Sequence, residues 1–212
     1  KTQKMKNNTT LYHFIVDRSG SMYDCINDTI GGFNTQLNSI EELKSEYPNQ
    51  KFLTSVSLFN TEIDHVVSME RQIGDNQLTR KNYIPSGGTA LLDAIGISIQ
   101  RIERVMGQEV EEGKASVVVV IMTDGYENSS RMFRFKEVSK MITKLSNTGK
   151  WTFNFLGADL DSFETVDNLS IPRGNAMMFH KEDMHANMDG LSESVKSYAR
   201  EKSKGKISRS LF

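Results

Sequence analysis

The sequence predicts an α/β protein in which a largely parallel sheet is covered by helices, and three observations carry that prediction. Short apolar runs alternate with segments of helical periodicity along the chain, the pattern of strands joined by crossover helices. One run, Val117 to Met122, holds four consecutive valines, as a central strand buried on both faces requires. Only Phe52 to Phe59 and Ile63 to Val67, joined by a turn at Asn60-Thr61, lie too close in sequence for a crossover, so this pair is predicted to be an antiparallel hairpin.

The elements follow in order. Leu11 to Val16 is a nearly continuous apolar run ending at Asp17, the first strand. From Ile26 onward, Ile30, Phe33, Leu37, Ile40 and Leu43 recur at steps of three and four, giving one apolar face on a long helix that Pro48 and Asn49 end. After the hairpin, a polar stretch from Glu70 to Tyr83 leads into Pro85-Ser86-Gly87-Gly88-Thr89, and Leu91, Leu92, Ile95, Ile99, Ile102 and Val105 mark a second helix. The valine strand stops at Thr123-Asp124-Gly125. A third helix is predicted from Phe133 through Val138, Met141, Ile142 and Leu145, then a strand over Trp151 to Leu156 and a short one near Met177 to Phe179. Met184, Met188, Leu191, Val195 and Tyr198 space out a last helix, whose methionines read as core filler.

No Pro/Ser-rich linker and no internal repeat divides the 212 residues, so one domain is expected over residues 11–200. Residues 1–10 read as a disordered or vector-derived N-terminus, and residues 201–212 as a basic, solvated tail that includes Lys202. A net charge of −1 provides no field to draw the chain onto nucleic acid. Cys25 is the single cysteine, which rules out an intramolecular disulfide, and the N-terminus is polar, without a signal-peptide pattern. These features point to a cytoplasmic protein without a membrane span, although a processed secreted form would read the same way.

Three polar groups fall where an apolar strand ends or a helix begins: Asp17-Arg18-Ser19-Gly20-Ser21, Gly87-Gly88-Thr89 and Thr123-Asp124-Gly125. In an open parallel sheet such loops share the rim beyond the carboxyl ends of the strands, where ligands collect. Asp17, Ser19, Ser21, Thr89 and Asp124 offer two carboxylates and three hydroxyls, all hard oxygen donors, with no imidazole or thiolate. That chemistry suits Mg²⁺, with Mn²⁺ or Ca²⁺ possible, and a small hard ion that keeps several waters needs few protein ligands. The alternate spacing of Asp17, Ser19 and Ser21 aims three side chains at one point, and Gly20 permits the tight path.

Asp17-Arg18-Ser19-Gly20-Ser21 resembles the D-x-S-x-S motif of the von Willebrand factor A family. Thr89 and Asp124 match the other two motifs of that family's metal-ion-dependent adhesion site, in the same order, over roughly residues 11 to 200. The resemblance implies a doubly wound, Rossmann-like sheet of about six strands with one antiparallel edge strand and helices on both faces. It also implies that Asp17, Ser19, Ser21 and Thr89 contact the ion directly or through water, that Asp124 often acts from behind them, and that an acidic side chain of a protein partner completes the coordination.

Two other functional readings stand beside the metal-dependent binding module. One is a Mg²⁺-dependent phosphotransferase with Asp17 as nucleophile, although Ser19 stands where such enzymes carry a second carboxylate. The other is an assembly component whose metal only stabilises its loops. Arg18, Tyr126 and Glu127 are candidates for partner specificity at the rim. Asp24 reads as solvated, because Cys25 replaces the second acid of an adjacent site found in integrin β-type members of the family. Asp159 and Asp161 read as cap or turn residues, and His180 and His185 as surface residues whose spacing does not suit a zinc motif.

Overall fold

The computed structural model describes residues 9–65, 77–124, 126–157, 162–178 and 184–203. Val67, Gly125, Asp159, Asp161, Phe179, His180 and the tail from residue 204 lie outside the described residues, as do the side chains of Met184, His185 and Met188.

The sheet has six strands: β1 (Thr9–Asp17), β2 (Lys51–Phe59), β3 (Ile63–His65), β4 (Ala115–Thr123), β5 (Trp151–Gly157) and β6 (Ala176–Met178). They lie in the order β3-β2-β1-β4-β5-β6. All neighbours are parallel except β2 and β3, where Phe59 faces Ile63 across the hairpin. Asn60 closes that turn: its backbone N–H donates to the Glu62 carbonyl, and its side-chain oxygen accepts from the Glu62 N–H, both at 2.9 Å. The mixed sheet with one antiparallel edge strand is the architecture the sequence predicts.

Helices α1 (Ile26–Glu46) and α5 (Met184–Ser203) cover one face, and α2 (Leu91–Glu111) and α3 (Phe135–Asn147) the other. The valine run shows why both faces must be covered. Val118, Val120 and Met122 enter the core beneath α1 and α5, while Val117, Val119 and Ile121 enter the core beneath α2 and α3. On α1, Phe33, Leu37, Ile40 and Leu43 are buried, and Phe33 meets Phe14 of β1 edge to face at 5.2 Å between ring centres.

The structure differs from the sequence reading at several places. β1 begins two residues before Leu11, at Thr9. α3 begins at Phe135 rather than Phe133, because the Phe133 N–H is held by the Asp93 carboxylate and Glu137 accepts from the Arg134 N–H to start the helix. A short helix, α4 (Ser162–Asn168), was not anticipated; it buries Val166 on the α2/α3 side. Lys202 is not a solvated tail residue. It sits in the last turn of α5, and its ammonium donates to the Thr9 carbonyl at 2.8 Å, the Thr10 hydroxyl at 2.5 Å and the Ser116 hydroxyl at 2.6 Å. Among the described residues, no helix is long and apolar enough to cross a membrane.

Strand order reverses between β1 and β4: the chain passes from β1 to β2 on one side and later returns to β4 on the other. The loops leaving β1 and β4 therefore diverge at adjacent strand ends and leave a crevice between them.

Candidate metal centre

Asp17 is the last residue of β1 and fully buried. One carboxylate oxygen accepts from the Ser19 N–H at 2.6 Å, and the other from the Thr123 hydroxyl at the end of β4, at 2.5 Å. The Ser19 and Ser21 hydroxyls are 3.1 Å apart, and Ser21 donates to Asp124 at 2.7 Å. A continuous chain of hydrogen bonds thus runs Thr123, Asp17, Ser19, Ser21, Asp124, joining residues more than 100 positions apart across the β1/β4 crevice.

Thr89 enters from the third loop. The Gly20 N–H donates to the Gly87 carbonyl at 3.0 Å and the Ser86 N–H to the Arg18 carbonyl at 2.9 Å, lashing residues 86–89 to the loop after β1. From the other side Asn128 grips Thr89 twice: its side-chain oxygen accepts from the Thr89 N–H at 2.9 Å, and its own N–H donates to the Thr89 carbonyl at 3.0 Å. The five sequence-predicted residues therefore belong to three loops hydrogen-bonded to one another at one rim. Asp17, Ser19 and Thr89 are buried, Asp124 is half-buried and Ser21 is exposed.

Burial is the main cause that pushes the Asp17 carboxyl up to about 6; the hydrogen bonds from Thr123 and Ser19 pull it down, and the neighbouring Asp124 charge pushes it up again. Arg18, next to Asp17 in sequence, is turned to an ion pair with Asp64 on the β3 hairpin. Two carboxylates gathered on a partly dry rim call for positive charge, which a divalent cation would supply. Among the described residues no three His, Cys, Asp or Glu side chains group to hold a metal. An ion at this rim would rest on hydroxyls as much as on carboxylates, a donor set that fits a hard cation and not a soft one.

Several residues that build the rim escaped the sequence reading. Asp93, in the first turn of α2, accepts from the N–H groups of Arg131 at 2.8 Å, Met132 at 2.9 Å and Phe133 at 2.8 Å. Tyr83 is buried and donates to the Asp17 carbonyl at 2.6 Å, pinning the end of β1 from below. Gly87 has φ of +72°, and a Cβ on Gly88 would lie 2.2 Å from the Ser129 hydroxyl, so the paired glycines are a steric requirement. Glu127 corrects an expectation. It does not face outward as a partner contact, since its carboxylate accepts from the N–H groups of Leu92, Ser129 and Ser130 and from the Ser130 hydroxyl, at 2.8 to 3.0 Å. Arg18 is likewise engaged with Asp64. Tyr126 remains exposed, as does Asp24.

The family model for the von Willebrand factor type A domain matches residues 13–194. The chain belongs to the von Willebrand factor type A (vWA) family. Comparison with curated proteins finds no significant sequence match. Among solved structures, this vWA domain is similar to the vWF domain of the type V pili tip protein Mfa5 from Porphyromonas gingivalis, with a TM-score of 0.67 at 10% identity, covering 90% of this chain and 96% of that one. It is also similar to the manganese-loaded TRAP protein of Plasmodium vivax, with a TM-score of 0.60 at 19% identity over 86% of this chain and 72% of that one. A third is proximal thread matrix protein 1 from the mussel byssus with a zinc-occupied MIDAS motif, at 0.62 and 14% identity. This vWA domain covers 86% of itself and 47% of that chain in the comparison, less than half of the mussel protein. At these identities the likeness is one of fold.

Proposed function

We propose that this vWA domain binds a protein partner through a divalent cation, Mg²⁺ or Mn²⁺, held by Asp17, Ser19, Ser21 and Thr89, with Asp124 supporting the site through Ser21. The observation that carries the reading is the hydrogen-bonded chain Asp17-Ser19-Ser21-Asp124, which gathers hard oxygens from two adjacent strand ends. When bound, the ion supplies an electrophilic centre for an external anionic oxygen. The chain's own residues do the rest. Thr123 and the Ser19 N–H orient the Asp17 carboxylate, Asn128 positions Thr89, and the exposed Ser21 marks the open side, where an acidic side chain of the partner would complete the coordination.

A non-enzymatic role is favoured over the phosphotransferase reading. Ser19 occupies the place of the second acid such chemistry uses. The test is capture of the partner with Mg²⁺, with excess chelator, and with Asp17→Ala in Mg²⁺. Loss of the complex in both perturbed samples, with the fold intact by circular dichroism, is the expected result. A complex that persists in chelator overturns the proposal, and Mg²⁺-dependent turnover of p-nitrophenyl phosphate lost in Asp17→Asn would establish the enzyme reading instead. A large thermal stabilisation by Mg²⁺ with no metal-dependent partner would leave only the structural role.

A further inference from the structure

The β2–β3 hairpin forms one edge of the sheet, and its own turn does not call for the side chain at its tip. The turn is served by Asn60, whose side-chain oxygen accepts from the Glu62 N–H. Thr61 is exposed at the tip and, among the described residues, makes no side-chain hydrogen bond within the hairpin. Its hydroxyl instead accepts from the Gly88 N–H at 2.9 Å, one residue before Thr89.

The hairpin reaches the Thr89 loop at two further points. The Asn60 carbonyl accepts from the Ala90 N–H at 2.8 Å, and the Asn60 side-chain amide donates to the Ser86 hydroxyl at 3.2 Å. It also holds the loop after β1, since the Arg18 N–H donates to the Phe59 carbonyl at 2.7 Å and the Arg18 guanidinium pairs with Asp64 of β3. Thr89 is thus flanked by hairpin bonds to the residue before it and the residue after it, while Asn128 grips Thr89 itself from the β4 side.

One of these contacts depends on a single side chain near the weakest part of the loop. The Phe59 and Asn60 carbonyls accept whatever side chains they carry, whereas the Gly88 N–H needs the Thr61 hydroxyl. Gly87 has φ of +72°, and a Cβ on it would lie 2.7 Å from the Thr61 hydroxyl oxygen, so the loop is packed directly against the threonine. Two successive glycines are the least restricted backbone in the loop, and without that hydroxyl their peptide is free to turn. Such a turn displaces Thr89 relative to Asp17 and Ser19, and a small octahedral ion tolerates little misplacement of its ligands.

We propose that Thr61 is a positioning residue for the cation site: its hydroxyl fixes the Gly87–Gly88 peptide and so sets where Thr89 stands relative to Asp17, Ser19 and Ser21. The inference rests on the metal-binding reading above and adds to it a residue from an element that supplies no ion ligand.

The experiment uses the whole chain and three variants. Thr61→Val keeps the shape and removes the hydroxyl, Thr61→Ser keeps the hydroxyl, and Thr61→Ala removes it where valine disturbs the turn. Each is titrated with Mn²⁺ by calorimetry under conditions where circular dichroism shows it folded. Exchange of the Gly88 amide is followed by NMR in the metal-free proteins. The expected result is Mn²⁺ binding about tenfold weaker in Thr61→Val and Thr61→Ala, wild-type binding in Thr61→Ser, and faster Gly88 exchange only where the hydroxyl is gone. Wild-type Mn²⁺ affinity in the valine and alanine variants overturns this inference alone, as does equal weakening in all three variants or unchanged Gly88 exchange. A lowered urea midpoint with unchanged Mn²⁺ affinity assigns the hydroxyl to stability only and also overturns it. Absence of Mn²⁺ binding in the wild type overturns the metal reading and this one with it.

Discussion

Asp93 touches none of the proposed ion ligands, yet its replacement should weaken the site. Its carboxylate accepts from three consecutive backbone N–H groups, Arg131, Met132 and Phe133, at 2.8 to 2.9 Å. These bonds tie the loop after β4 to the first turn of α2. The same loop carries Asn128, which grips Thr89. Hydrogen bonds to a charged acceptor contribute about 1.5 to 3 kcal/mol each. Arg131 and Met132 are exposed, so their amides regain water when the carboxylate is gone, and the full sum is not lost. Asp93→Ala should therefore cost about 3 kcal/mol of stability. The loosened grip on Thr89 should also weaken Mn²⁺ binding about tenfold, or about 1.4 kcal/mol. Urea denaturation at constant m-value reads the first effect, and Mn²⁺ titration of the folded variant the second. Asp93→Asn, which retains one acceptor oxygen, should fall between. A stability change in Asp93→Ala under about 0.5 kcal/mol, the range of ordinary surface substitutions, would refute the view that this carboxylate braces the rim.

Gly88→Ala places a methyl 2.2 Å from the Ser129 hydroxyl and 2.8 Å from the Asn128 oxygen. Displacing Asn128 from Thr89 should cost about 1 to 3 kcal/mol of stability and at least about tenfold in Mn²⁺ affinity; unchanged Mn²⁺ titration would contradict the assignment of Asn128. Lys202 predicts a pH dependence. Burial lowers its ammonium from 10.5 to about 7, while the three oxygens it donates to oppose that shift. Between those limits the unfolded chain holds the proton and the folded chain releases it, so stability rises with pH across the window and is flat below it. The slope is at most about 1.4 kcal/mol per pH unit. Urea midpoints from pH 6 to 10 should show that rise in the wild type relative to Lys202→Met; parallel curves would place a solvated ammonium there instead.

Much of the fold was legible because burial on both sheet faces leaves an unmistakable sequence trace. The valine run of β4 and the three-and-four spacing on α1 each encode which faces are covered, and both elements lie where the pattern put them. The meeting of the Asp17 and Asp124 loops was legible because strand order reverses between β1 and β4, whereas Thr89, which precedes α2 rather than ending a parallel strand, was picked out by its match to a family motif. What failed were assignments that depend on hydrogen bonds between distant segments. Glu127 reads as an exposed acid in a polar loop; besides the Ser129 and Ser130 N–H groups of its own loop, its carboxylate accepts from the Leu92 N–H of α2, which nothing local shows. Asp93 reads as an ordinary first-turn acid on α2, favourable at a helix start on its own. Lys202 reads as one lysine among several in a basic tail, since nothing local shows that Thr9, Thr10 and Ser116 converge on it. α4 is seven residues long, too short for periodicity to show.

The central claim is that the hydroxyls and carboxylates of three loops form one cation site. Calorimetric titration of metal-free protein with Mn²⁺ tests it most directly, with Asp17→Ala and Ser21→Ala beside the wild type. One ion per chain in the wild type, no detectable binding in Asp17→Ala and weakened binding in Ser21→Ala is the predicted result. Equal Mn²⁺ affinity in all three proteins, each folded, would contradict it.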